Sequence, residues 1–289
     1  MDERVARRIE ALLRSPVRRI DAVHGGDNSA AHRVELDDGT VVFAKTHADP
    51  PDGWFTTEAT GLEWLRAANA VRVPAVLAVD DGVDEVPAHL VMEWIEEGRR
   101  RAGDEAALGR ALADLHRAGA PAYGREDRRT TGSRRLPNDP CATWPEFYAT
   151  RRLLPLADLA AQAGALAPID IERLRRVAGR LDQFEGADEP PARLHGDLWG
   201  GNRIVDTRGE SWLVDPAAHG GHREFDLATM RVFGGFSEAC FDAYAEAFPL
   251  APGWRGRVEL HQISTLVVHA IKFGGGYVPA ASSAIARYA

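Results

Sequence analysis

Asp197 and Asn202 stand five residues apart in the run Leu194-His195-Gly196-Asp197-Leu198-Trp199-Gly200-Gly201-Asn202. This fits H-x-D-x-x-x-x-N, a spacing that serves phosphoryl transfer. An Asp must accept or orient the proton of an attacking hydroxyl. An Asn oxygen a short loop away can ligate a metal ion on the phosphates. Thirteen residues after Asn202, Asp215 ends the apolar run Ser211-Trp212-Leu213-Val214. A carboxylate at the end of a strand is well placed for Mg²⁺, which is commonly held by one or two carboxylates plus phosphate oxygens and water. His195 reads as a hydrogen-bonding brace for the loop rather than a base, with contact to the substrate as its other candidate role. Trp199 reads either as a ring that contacts a sugar or as a plug beneath the loop.

The same chemistry calls for a cation upstream. Of 35 basic residues only Lys45 and Lys272 are lysines. A codon bias toward arginine would explain this without any function; under such a bias a surviving lysine points to a place where a compact ammonium is wanted and a planar guanidinium is not. Lys45 ends the strand pattern Val41-Val42-Phe43-Ala44-Lys45, whose alternation places Val41, Phe43 and Lys45 on one face. Glu58 shares a helical face with Leu62 and Leu65 over the predicted helix 56–67. A carboxylate on an inward face requires a cationic partner, and Lys45 is the expected one. Gly25 and Gly26, ahead of the Lys45 strand, could bring backbone N–H groups close to phosphates or simply join two strands. Glu93, in Leu90-Val91-Met92-Glu93-Trp94-Ile95, falls where a strand leaves the first half and where backbone groups could read an adenine edge.

The elements that must position these groups divide by type. Up to about residue 95 the pattern is strands with helices at 5–13 and 56–67. Asp37-Asp38-Gly39 marks a hairpin turn, and strands are expected at 76–79 and 89–95. From Asp104, a candidate N-cap, helices dominate: 104–115, 144–163, 169–184, 226–233, 237–248 and 258–272, with short strands at 203–205 and 212–214. The Arg-rich stretch 120–140 reads as a long loop with a solvated face. The expected architecture is α+β and two-lobed, protein-kinase-like, with an antiparallel-sheet nucleotide-binding lobe at 1–95 and a mainly helical catalytic and substrate lobe at 96–289.

Composition narrows the classes. The 289 residues carry a net charge of −8, which gives nucleic-acid binding no support. No apolar run reaches the ~18 residues of a membrane span, and the charged opening MDERVARRIEALL lacks the features of a signal peptide. A cytoplasmic protein is expected. Cys141 and Cys240 sit far apart with no CxxC partner, so neither a disulfide framework nor a zinc site is indicated.

Four separated segments, in order, resemble the fructosamine (ketosamine) kinase family, a branch of the aminoglycoside-phosphotransferase-like kinases. They are Leu194–Asn202; Trp144-Pro145-Glu146-Phe147-Tyr148 through Arg151-Arg152-Leu153-Leu154-Pro155; Gly221-His222-Arg223-Glu224-Phe225-Asp226-Leu227; and His269 through Phe273-Gly274 and Tyr277. The resemblance implies Asp197 as catalytic base, Asn202 and Asp215 as Mg²⁺ ligands, and Lys45 as the phosphate contact paired to Glu58. It implies transfer of the γ-phosphoryl of ATP to the 3-hydroxyl of a fructosyl- or ribulosyl-amine, and with it protein deglycation. Pro216-Ala217 after Asp215 is usual in this branch. The glycine loop has no cysteine, so a thiol switch described for some relatives cannot operate there. Ile271 stands where the family pattern has Asn. Two other functions fit the same residues: a kinase of another small alcohol such as an aminoglycoside or choline, and a non-catalytic nucleotide-binding protein. Absence of a DFG…APE pattern speaks against a protein kinase.

Overall fold

The amphipathic opening folds as helix α1 (Glu3–Leu13), started by Asp2, whose carboxylate accepts from the Arg4 N–H at 2.8 Å. Strands β1 (Val17–Val23), β2 (Ala30–Leu36) and β3 (Val41–His47), helix α2 (Trp54–Arg66), and strands β4 (Val76–Asp80) and β5 (Ala88–Glu93) follow. The computed structural model describes residues 1–23, 29–82, 86–127, 130–131, 135–184, 186 and 188–289. The expected glycine-loop contacts Gly25 and Gly26 lie outside the described residues.

The five strands form one antiparallel sheet in the order β1-β2-β3-β5-β4. Val42 and Ala44 of β3 join Val34, Leu36 and Val91 in a core closed by Val5 and Ile9 of α1. Lys45 is buried as well and reaches Glu58 of α2. Phe55, Leu62 and Leu65 are fully buried along α2, so its apolar stripe is the one the sequence predicts.

Beyond the sheet the chain runs through α3 (Asp104–Arg117), a two-residue ladder of β6 (Thr130–Thr131) with β7 (Leu136–Pro137), α4 (Trp144–Phe147), α5 (Leu154–Ala163) and α6 (Pro168–Ala178). Then come β8 (Ala192–Leu194), β9 (Arg203–Val205), β10 (Ser211–Leu213), β11 (His219–Gly221), α7 (Glu224–Phe233), α8 (Glu238–Ala247), α9 (Trp254–Phe273) and α10 (Tyr277–Tyr288). By their contacts these residues fall into two compact units. One is Met1–Asp104 with Asn202–Pro216; the other is Glu105–Gly201 with Ala217–Ala289. The hairpin β9–β10 docks on the sheet-bearing unit through backbone bonds. Leu213 N donates to Arg72 O at 2.9 Å, and Gly98 N donates to Val205 O at 2.8 Å.

The second unit is packed around Trp144, Phe147, Tyr148, Leu156, Leu174, Leu260, Ile263, Val267 and Ile285. The predicted helix over 144–163 is interrupted by a π-type turn, Tyr148–Leu153. Pro155 has no N–H to give the Arg151 carbonyl. The Arg152 guanidinium supplies a donor instead, 3.0 Å away. Helix α10 and the β8–β11 ladder were not expected from periodicity. The strands are three residues each, and Gly220 and Gly221 carry no side-chain signal. No described helix is long and apolar enough to cross a membrane.

Candidate active site

In the sheet-bearing unit Lys45 is the centre of a charged trio. Its ammonium donates to Glu58 Oε1 at 2.8 Å and forms a shorter bond with Asp215. Burial pulls the Lys45 pKa down, but the two carboxylates outweigh it and the ammonium is held above its ordinary value. Glu58 is also pushed up. Burial is the largest cause, Lys45 opposes it, and the charge of Asp215 adds to it. The two directions agree physically, since two carboxylates share one ammonium and both cannot be fully compensated by it.

Local structure fixes each member of the trio. Lys45 is held by the β2 and β5 ladders, opposite Ala31 and Leu90. Glu58 lies one turn into α2, whose N-cap position is Gly53, with no side chain to cap the helix. Asp81 caps it from outside, accepting from Phe55 N at 2.9 Å and Thr56 N at 3.2 Å. Asp215 has φ +53°, in the left-handed region that non-glycine residues seldom occupy. Val214 N donates to Asn202 O at 3.0 Å, which ties the chain just before Asp215 to Asn202. An amide oxygen and a carboxylate are hard oxygen donors, a set that suits Mg²⁺. Glu93 ends β5; its carboxylate accepts from Ala75 N at 3.2 Å.

In the other unit the loop around Asp197 hangs from Asp226 of α7. Asp226 accepts from His195 N at 2.7 Å and from Gly196 N at 2.9 Å, and is wholly buried. Burial works against its charge. The hydrogen bond from His116, 3.3 Å away, and the nearby charges prevail, and its carboxyl stays below the ordinary range. His116 is held in turn by the Tyr244 hydroxyl at 2.8 Å. If Asp226 is ionised, His116 Nε2–H donates to it and Nδ1 accepts from Tyr244. His195 is fully buried, and its Nδ1 accepts from Asp197 N at 3.3 Å. That places it as the loop's brace. Gly196 has φ +82°, and a Cβ there would collide with the Ala217 carbonyl, so no other residue fits.

The chain is similar to known proteins over nearly all its length. The family model for fructosamine kinase matches residues 1–289. The chain belongs to the fructosamine kinase family. It is a phosphotransferase. A protein of Enterococcus faecium named "probable ketoamine kinase" is 36% identical over 256 residues, covering 88% of this chain and 90% of that protein. A chloroplastic protein-ribulosamine 3-kinase of Oryza sativa subsp. indica is 34% identical over 271 residues, 93% of this chain and 78% of that protein. A crystal structure from Thermobifida fusca, provisionally assigned as a fructosamine-3-kinase, superposes with a TM-score of 0.89 at 39% identity, covering 98% of both chains. A choline/ethanolamine kinase family protein of Mesorhizobium loti shares the fold, with a TM-score of 0.59 at 18% identity, covering 93% of this chain and 86% of that one.

Among the described residues of this family member, one trio has ligand atoms close enough for a metal: His222, Glu224 and His261, within 4.8 Å of one another. Arg257 already donates to both Glu224 oxygens, at 2.9 and 2.5 Å, and His222 Nε2 is engaged by Gly186 O at 2.9 Å. A dication here would face a fixed guanidinium, so the trio is a buried ion-pair network. His116, Tyr244 and Asp81 are the residues that the sequence leaves unmarked. His116 is a single His in an apolar helix stripe, and its partners are more than a hundred positions away.

Proposed function

We propose that the protein transfers the γ-phosphoryl of ATP to the 3-hydroxyl of a ketosamine, a fructosyl- or ribulosyl-amine, with Mg²⁺ as the metal. Residues 1–95 would serve as the nucleotide-binding lobe and residues 96–289 as the catalytic and substrate lobe. The resulting 3-phosphate is unstable and releases the amine, which makes the physiological role deglycation of proteins or amino acids. The observation that carries the reading is the Lys45 ammonium, paired at once with Glu58 and Asp215. A lysine so fixed is a pre-organised phosphate contact. Support for the acceptor class comes from the ketoamine and ribulosamine kinases among its relatives. Both cysteines are free and buried, as suits a reducing cytoplasm.

Phosphoryl transfer asks for positioning and charge neutralisation. Asp197, on a loop held by Asp226, would align the acceptor hydroxyl and take its proton. Asn202 and Asp215 would hold the metal, which neutralises phosphate charge when bound. Lys45 would contact the phosphates, and the Gly25-Gly26 loop and the backbone at Glu93 would hold the rest of the nucleotide. Trp199 would contact the sugar.

The test is an acceptor panel with ADP release as readout: fructosyl-lysine, ribulosyl-lysine, choline and an aminoglycoside. Mg-ATP turnover with a ketosamine, lost in Asp197→Ala while ATP still binds, is the expected result. Turnover with choline or the aminoglycoside alone would reassign the acceptor. No turnover with any acceptor would leave a nucleotide-binding protein.

A further inference from the structure

Beside the Asp197 loop lies a run of aromatic rings that the phosphoryl-transfer groups do not account for. Trp199 meets Phe233 edge-on, with centroids 5.9 Å apart. Phe233 stands 4.7 Å from His269 and 6.4 Å from Tyr277, and Phe273 stands 5.5 Å from His269 and 6.1 Å from Tyr277. The loop is seated on the turn that follows Phe233: Gly200 N donates to Gly234 O at 3.2 Å. The ends of the run are open to solvent. Trp199 is 39% exposed and Phe273 52% exposed, and Phe273 is the most exposed of the large hydrophobic residues found at the surface. A run of half-buried rings with solvent-open ends beside the Asp197 loop can take an apolar or cationic group of a ligand. Ring faces are electron-rich and attract cations. The Lys272 ammonium already lies 4.7 Å from the Phe273 centroid, so the ring at the open end of the run faces an ammonium.

We infer that Phe233, Phe273 and Tyr277 form the subsite for the amine of the acceptor, a protonated alkylammonium with the methylene chain of a lysine. The inference rests on the ketosamine reading above and adds where the amine goes. A ketosamine carries its nitrogen on C1, four bonds from the reacting oxygen on C3, and that secondary amine is protonated near neutral pH. When O3 meets Asp197, the nitrogen must lie close by, and the aromatic run begins two residues on, at Trp199. The rings hold the ammonium by cation–π attraction and the methylenes by apolar contact. A neutral sugar of the same shape receives neither.

The experiment compares fructosyl-lysine with 1-deoxyfructose, which keeps the 3-hydroxyl and lacks the amine, in the wild type and in Phe233→Leu, Phe273→Leu and Tyr277→Leu. The quantity read is the ratio of kcat/KM for the two acceptors, with circular dichroism to confirm folding. The ratio is expected to fall about tenfold in the leucine variants and to be retained in Phe273→Tyr, which keeps a π face. An unchanged ratio in the leucine variants overturns the inference while leaving the ketosamine reading in place. Equal losses in Phe273→Leu and Phe273→Tyr overturn it too, since bulk rather than the π face would then matter. Failure of the wild type to phosphorylate fructosyl-lysine would take down the ketosamine reading and this subsite with it.

Discussion

At the scale of single residues the site depends on a compact charge held where a planar one does not fit. Lys45 is buried and gives one bond each to Glu58 and Asp215. A guanidinium would place several donors in a fixed fork and could not satisfy the same two oxygens from the same strand position. Lys45→Met is expected to lower kcat/KM for ATP by about 10²- to 10³-fold, the range for removing one donor to developing charge. Lys45→Arg is expected to recover little of it. Steady-state kinetics at saturating acceptor would decide this, and wild-type kinetics in the arginine variant would show that the argument from shape is wrong. Asp215 adds a second constraint. Its left-handed backbone is costly for a side chain with a Cβ, and such strain persists where the surroundings over-determine it.

At the scale of elements, positioning is done by groups outside the Lys45–Glu58–Asp215 trio and the Asp197 loop. Helix α2 carries Glu58, yet begins at a glycine with no cap of its own. Asp81 supplies the cap from the loop after β4. Asp81→Ala is expected to lower stability by about 1 kcal/mol, the usual effect of losing an N-cap, and to speed amide exchange at Phe55 and Thr56. Exchange by mass spectrometry or NMR, with a urea titration, would read both. Unchanged protection at those two amides would remove Asp81 from the account. Similarly, α7 holds the Asp197 loop through the two amides that Asp226 accepts, and α3 and α8 back it through His116 and Tyr244.

At the scale of the whole molecule, stability is tied to pH through buried histidines. His222 is held down to about 4, first by burial and then by the charge of His261. His219 is held down to about 3, by burial and then by Arg152. Both lie below the ordinary 6.5. Between about pH 6.5 and 4 the unfolded chain binds protons that the folded chain refuses, so stability falls as pH falls. The His222 gap alone is worth roughly 3 kcal/mol. Glu224 continues the trend below pH 4.5. Its burial is outweighed by His261, whose Nε2 lies 3.5 Å away, and by the two bonds from Arg257, and its pKa is lowered to about 2. That carboxylate is stabilising above 4.5 and loses its contribution as pH drops towards 2. Urea midpoints at pH 7.5 and 5.0 are expected to differ clearly, with the lower at pH 5.0. Equal midpoints would mean that these rings are not buried neutral in solution.

The sequence by itself determined the chemistry and the elements that carry it. Lys45, Glu58, Asp197, Asn202 and Asp215 stand out as candidates because phosphoryl transfer restricts residue type and spacing over short stretches. Strand alternation and helical stripes are likewise local, so β3, α2 and the long helices were legible. Only the tertiary structure decided which distant groups meet. The bond of Lys45 to Asp215 spans 170 positions, and those of His116 to Tyr244 and Asp226 span more than a hundred. No local pattern encodes such a pair. A lone His in an apolar stripe or an Asp in a loop has no periodicity to mark it, and its role exists only once folding brings its partner within a hydrogen bond.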